Sequence, residues 1–148
     1  MVDPITQGRR LMEVSRGIRN DTRSDIPMCV YLVNAAGGLT MVRGLDVGFT
    51  PQQRNAKLRK LLAQHASVAV IMIYEAWGMT APADTARENM PARLAGQPGA
   101  FEAMIGSVET AAGYRQWRAK IENNVVGEFI ESAGAFAGLL AGLLAPVN

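Results

Sequence analysis

The stretch Ser67–Met79, SVAVIMIYEAWGM, constrains the fold of this chain more than any other. From Val68 to Tyr74 every residue is apolar or aromatic, so neither alternation of side chains offers water a polar face. The run is rich in β-branched residues and far shorter than the ~20 apolar residues of a membrane-spanning helix. It reads as a central strand covered on both faces.

The segments around it supply the rest of a sheet and its helices. Upstream, MCVYLVNAAGGLTMVRGLDV is two β-rich runs flanking Gly37-Gly38, the pattern of a tight hairpin whose turn needs positive φ. Between hairpin and central strand, FTPQQRNAKLRKLLAQHA reads as a helix. Thr50 caps it, Pro51 opens it, and Gln53 completes a capping box. Leu58, Leu61 and Leu62 form its apolar side. Near the start, Asp3-Pro4 opens a first helix with Ile5, Leu11, Val14 and Ile18 on its apolar side, and NDTRSDIP ends it. After a polar, proline-bearing loop, FEAMIGSVET and YRQWRAKIE read as two strands joined by AAG. In the second, Arg115, Trp117, Ala119 and Ile121 share one face, with Tyr114, Gln116, Arg118 and Lys120 on the other. Asn123-Asn124 reads as a break before a closing helix over 125–146.

The order α-β-β-α-β-β-β-α, with strands arriving as hairpins, predicts an α+β fold. Its expected form is a mostly antiparallel sheet of about five strands with helices packed on one face. At 148 residues, 49% of them hydrophobic and 19% charged, the chain suits one domain spanning 1–148. The N-terminal residues lack the apolar core of a signal peptide, and the expectation is a cytoplasmic protein.

The chemical inventory is thin. His65 is the one histidine and Cys29 the one cysteine, so no multi-histidine or multi-cysteine metal site and no intramolecular disulfide can form. His65 falls at the end of the second helix, where a cation suits the helix dipole. Cys29 lies in an apolar run and reads as a small buried hydrophobe. No nucleophile-elbow, Walker or dinucleotide-binding glycine pattern occurs, and no cofactor, metal or catalytic residue is assigned.

The polar residue that demands an explanation is Glu75, at the end of the apolar strand beside Trp77. A carboxylate there is exposed or paired, because an unpaired buried charge is costly. Arg43, Arg115 and Arg118 are the expected partners. Glu102 and Glu109 are the acids that would join Glu75 in a carboxylate cluster for Mg²⁺-dependent phosphodiester cleavage. The cations number twelve Arg against three Lys. Arginine's planar fork suits carboxylate or phosphate. Basic residues on both helices, with Arg115, Trp117 and Arg118 on a late strand, are the parts of a single-strand nucleic-acid face. The net charge of +2 lacks the basic excess of a dedicated binder, so nucleic acid is not the favoured partner.

The hairpin, the capped helix, the strand ending in YEAWGM, the polar loop and the strand AFEAMIGSVET, taken in order, resemble small uncharacterised α+β proteins of bacteria and their phages. In those a central strand ends in a similar Glu-Ala-Trp, here Glu75, Ala76 and Trp77. The resemblance covers about residues 28–121. It implies the sheet and supplies no mechanism.

The chain closes on SAGAFAGLLAGLLAPVN, uncharged from Ala133 to Val147. That stretch is shorter than the ~20 residues of a bilayer span and is flanked by Glu128 and Glu131, so no membrane anchor is expected. On a helix, Gly134, Gly138 and Gly142 line a groove open to another backbone, with Phe136, Leu139 and Leu143 around it. A helix that is apolar all round must be covered all round. The expected cover is a second copy of the chain, a C2 dimer being the commonest solution. The sequence therefore reads as a non-enzymatic, homo-oligomeric protein acting through protein–protein contacts. The alternative is a nucleic-acid-binding or nuclease-like accessory protein using the Arg-rich helices and Glu75.

Overall fold

The computed structural model describes residues 3–45, 48–79 and 100–132. Ser67–Met79 forms β3, the third strand in chain order, set between β1 (Cys29–Asn34) and β4 (Ala100–Thr110). Beyond β1 lies β2 (Leu39–Val42). Beyond β4 lies β5 (Gly113–Glu122), whose outer edge carries β6 (Val125–Val126) and β7 (Ile130–Glu131). Among the described residues the sheet has seven strands, not about five, and every pairing is antiparallel.

Local chemistry explains the turns. In the β1–β2 turn, Asn34 Oδ1 accepts from the backbone N–H of Ala36 (3.0 Å) and of Gly38 (2.8 Å), while Gly37 takes φ 86°. The β4–β5 turn places Thr110 opposite Gly113, and Thr110 Oγ1 accepts from the Ala112 N–H at 3.2 Å. Helix α1 (Pro4–Thr22) starts on Asp3, whose side chain accepts from the N–H groups of Ile5 and Thr6. Helix α2 (Pro51–Gln64) starts on the expected Thr50–Gln53 capping box, both halves of which are formed.

The helices do not share a face. Along β1, Cys29, Tyr31 and Val33 belong to one apolar cluster, and Val30 and Leu32 to another; β3 divides Ala69, Ile71 and Ile73 from Val70 and Met72 in the same way. Alternating residues point to opposite sides of a sheet. Met12 of α1 joins the first cluster, and Leu58 and Leu62 of α2 join the second. One helix therefore covers each side. Two strands apolar on both alternations require this, since leaving a Val, Leu or Met side chain in water forgoes about 1.5–3 kcal/mol.

Helix α1 is also rotated from the expected orientation. Its buried residues are Gly8, Met12 and Arg19, with Ile5 and Leu11 partly buried, whereas Val14 (58%) and Ile18 (52%) are exposed. The seat is close: a Cβ on Gly106 of β4 would lie 2.5 Å from Met12 Sδ.

The closing helix does not begin at 125. Asn123 (φ 52°) and Asn124 (φ 62°) form a two-residue turn that pairs Glu122 with Val125 and Ile121 with Val126. Two consecutive positive φ values are what a type I′ hairpin requires, and Asn tolerates them. Residues 130–131 of the expected helix form β7 instead, and its part from 133 onward, including Gly134, Phe136, Gly138, Leu139, Gly142 and Leu143, lies outside the described residues.

Candidate functional site

Glu75 lies on the α1 side of β3, beyond Ile71 and Ile73 in the same alternation. Its partner is Arg19, not Arg43, Arg115 or Arg118. Seven residues after Met12, two helical turns, Arg19 falls on the same buried seam of α1. Arg19 Nε donates to Glu75 Oε1 at 3.1 Å, with the two side chains 2% and 10% exposed. The other carboxylate oxygen accepts from the Ile26 backbone N–H at 2.6 Å. Arg19 Nη2 also approaches Asp25 Oδ1 at 3.6 Å, and Nη1 donates to the Asn124 carbonyl at 3.5 Å. One guanidinium thus ties α1, the α1–β1 connection, β3 and the β5–β6 turn together.

Glu102 is the third acid. Its register partner on β3 is Trp77, two residues beyond Glu75, so Glu75 and Glu102 share a face on adjacent strands. Carboxylate oxygens of Asp25, Glu75 and Glu102 all lie within 4.8 Å of one another. Arg19 pairs with two of the three, so the group already holds a cation. Burial pushes the Glu102 carboxyl above its ordinary value, the Glu75 and Asp25 charges push it further, and Arg19 pulls it partly back. This arrangement fastens elements to one another. The expected third member, Glu109, is instead buried on the α2 side, registered against Val70 and Tyr114. There Tyr74 is pushed up to about 12 by burial.

The remaining expected residues do not converge on Glu75. Arg43 is exposed beyond edge strand β2, its Nε 3.2 Å from Met41 Sδ. Arg115 forms a two-pronged pair with Glu131 (2.7 and 2.9 Å), which holds the Glu131 carboxyl below its usual range. Trp117 is a core residue, 5% exposed, with the guanidinium of Arg9 5.5 Å from its ring. Arg118 faces the other side of the sheet over Phe101, which Lys120 also approaches. The single-strand face assembled from Arg115, Trp117 and Arg118 is therefore split between two sides. Trp77 is 45% exposed beside the carboxylates. His65 is the exposed C-cap of α2, and Cys29 is buried in the core, both as the sequence implies.

Two members of the site escape the sequence reading. Arg19 is not among Ile5, Leu11, Val14 and Ile18, the residues that mark the expected buried side of α1, and Asp25 lies in a segment that reads only as a breaker. A signal for Arg19 exists in the seven-residue spacing from Met12, once Met12 is taken as the buried residue.

No helix among the described residues is long and apolar enough to cross a membrane. Comparison with protein families, curated proteins and solved structures finds no match, so the site rests on its own geometry.

Proposed function

We propose that this chain is a cytoplasmic, non-enzymatic protein that acts through protein–protein contact and assembles with copies of itself. The observation that carries the reading is the set of large apolar side chains left in water beside α1. Val14 and Ile18 on the helix are 58% and 52% exposed, and Leu39 and Met41 on edge strand β2 are 45% and 46% exposed. Both sets flank the same side of the sheet. Leu39 and Met41 are registered against Val33 and Tyr31, whose cluster lies under α1. Gln7, one turn before Leu11, bonds the Gly37 carbonyl in the β1–β2 turn at 2.8 Å, so this flank of α1 runs along the hairpin. Exposed apolar groups gathered in one place mark contact surfaces.

The glycine-spaced tail from Ala133 supports the same reading from the sequence. Size-exclusion chromatography with light scattering tests it. The wild-type chain should run as an oligomer at micromolar concentration. A Val14→Lys/Met41→Lys pair, or Gly138→Leu in the tail, should shift it toward monomer. A monomeric wild-type chain refutes the reading.

The alternative, contact with nucleic acid, has one observation in its favour: exposed Arg118 and Lys120 bracket Phe101 at 6.0 and 5.6 Å. Acidic Glu122 and Glu128 line the same hollow as both cations, which weakens the site for a polyanion. Absence of a shift with single-stranded DNA or RNA at low salt removes it, since phosphate contacts are strongest there.

A further inference from the structure

We propose that Glu75 and Glu102 form a proton-operated latch, in which neutral Glu102 lets the buried Arg19–Glu75 pair hold the end of α1 on the sheet and ionised Glu102 loosens it. Among the described residues, three carboxyl groups, from Asp25, Glu75 and Glu102, meet within 4.8 Å, and one guanidinium, Arg19, serves them. Asp25 is 85% exposed and screened by water, while Arg19 and Glu75 are 2% and 10% exposed. Arg19 and Glu75 balance each other. A charged Glu102, half-buried on the neighbouring strand, then has no counter-charge of its own among the described residues, and neighbouring like charges disfavour each other's ionisation.

Among the described residues, the groups facing Glu102 come from several elements. Arg19 comes from α1, Asp25 from the α1–β1 connection, and Glu75 from β3. On β5 its register partner is the apolar Ile121, and beyond β5 the Asn124 carbonyl faces Arg19. Arg19 is the sole cation in that set. A neutral carboxyl is also a donor, so protonated Glu102 can give a hydrogen bond to the Glu75 carboxylate, which an ionised Glu102 cannot. The raised Glu102 carboxyl agrees with this direction.

Its consequence for stability has a definite sign. A carboxyl raised in the folded state contributes stability that is fully present below its unfolded value near 4.5 and is lost as pH climbs through the raised value. Fastening and release are read at the Ile26 N–H, which donates to Glu75 Oε2.

The experiment compares the full-length chain with its Glu102→Gln and Glu75→Gln variants in urea unfolding at several pH values, with and without millimolar Mg²⁺. Carbon-13 titration of Glu102 and hydrogen exchange at Ile26 accompany it. Wild type should lose midpoint relative to Glu102→Gln as pH rises above about 4.5, and Ile26 protection should fall in parallel in wild type alone. Glu102 should titrate above an ordinary glutamate and return toward it in Glu75→Gln, a measurement that stands even if Glu102→Gln fails to fold. Parallel stability curves, an ordinary Glu102 titration, or Ile26 protection indifferent to pH overturn the latch. So does a Mg²⁺-induced rise in midpoint that Glu102→Gln abolishes, because a metal ion rather than a proton would then balance the cluster.

Discussion

Two glycines of α1 offer a sharp test of how closely that helix sits on the sheet. Gly8 and Gly17 lie in the same helix, and each should gain about 1 kcal/mol of helix propensity on replacement by Ala. Their surroundings differ. A Cβ on Gly17 would meet nothing within 4 Å, so Gly17→Ala should stabilise by about that propensity gain. A Cβ on Gly8 would fall on Val108 Cγ2 of β4, with two Ile71 side-chain carbons at 3.6 and 3.7 Å. Val108 and Ile71 are fully buried and β-branched, so neither can swing aside. Overpacking of that kind costs about 1–3 kcal/mol, more than the propensity returns, and Gly8→Ala should be net destabilising by about 1 kcal/mol. The pair should therefore differ by roughly 2 kcal/mol with opposite signs, or about 4–8 °C in Tm at this chain length. Urea unfolding with an unchanged slope would give the free energies directly. Adding Val108→Ala opens space at the contact, so the Gly8→Ala/Val108→Ala double variant should lose less than the sum of the single changes. Equal stabilisation by Gly8→Ala and Gly17→Ala would refute the close approach of α1 to β4.

Two further substitutions probe the site and the second helix. Arg19→Met keeps the bulk of the seam but leaves Glu75 without its buried counter-charge, and should cost about 3–5 kcal/mol; the double variant Arg19→Met/Glu75→Leu should recover much of it, in the same urea assay. Thr50→Ala removes the oxygen that accepts from the Gln53 N–H at 3.1 Å, and should lower stability by about 1 kcal/mol, with Gln53→Ala adding less in its presence than alone.

Turn and cap signals proved the most legible part of the chain. Gly37-Gly38, Ala111-Ala112-Gly113 and Thr50–Gln53 each demand a specific backbone geometry, and each sits where that demand is met. Asn123-Asn124 carried the same kind of signal. As a polar pair it reads equally as a break, yet two adjacent Asn residues between Ile121-Glu122 and Val125-Val126 match a type I′ hairpin. The placement of helices on one face overlooked what the central strand already required. Apolar residues on both alternations of β1 and β3 need two covering layers, and one helix can give only one.

The site was half legible for a related reason. A strand position shows that Glu75 needs a counter-charge but not which arginine supplies it, because the supplier depends on how a helix is rotated about its axis. Hydrophobic periodicity alone would turn α1 to bury Leu11, Val14 and Ile18. The observed rotation buries Gly8, Met12 and Arg19 instead. Close approach explains the choice: Gly8 admits Val108 and Ile71, while the absent side chain of Gly106 makes room for Met12. Dispersion contacts at a seat that tight, summed over many atoms, compete with the burial of two aliphatic side chains. Once Met12 is fixed over Gly106, the helical repeat carries Arg19 beneath the helix beside Glu75. The ion pair at the candidate site is thus a consequence of where two glycines allow a helix to sit.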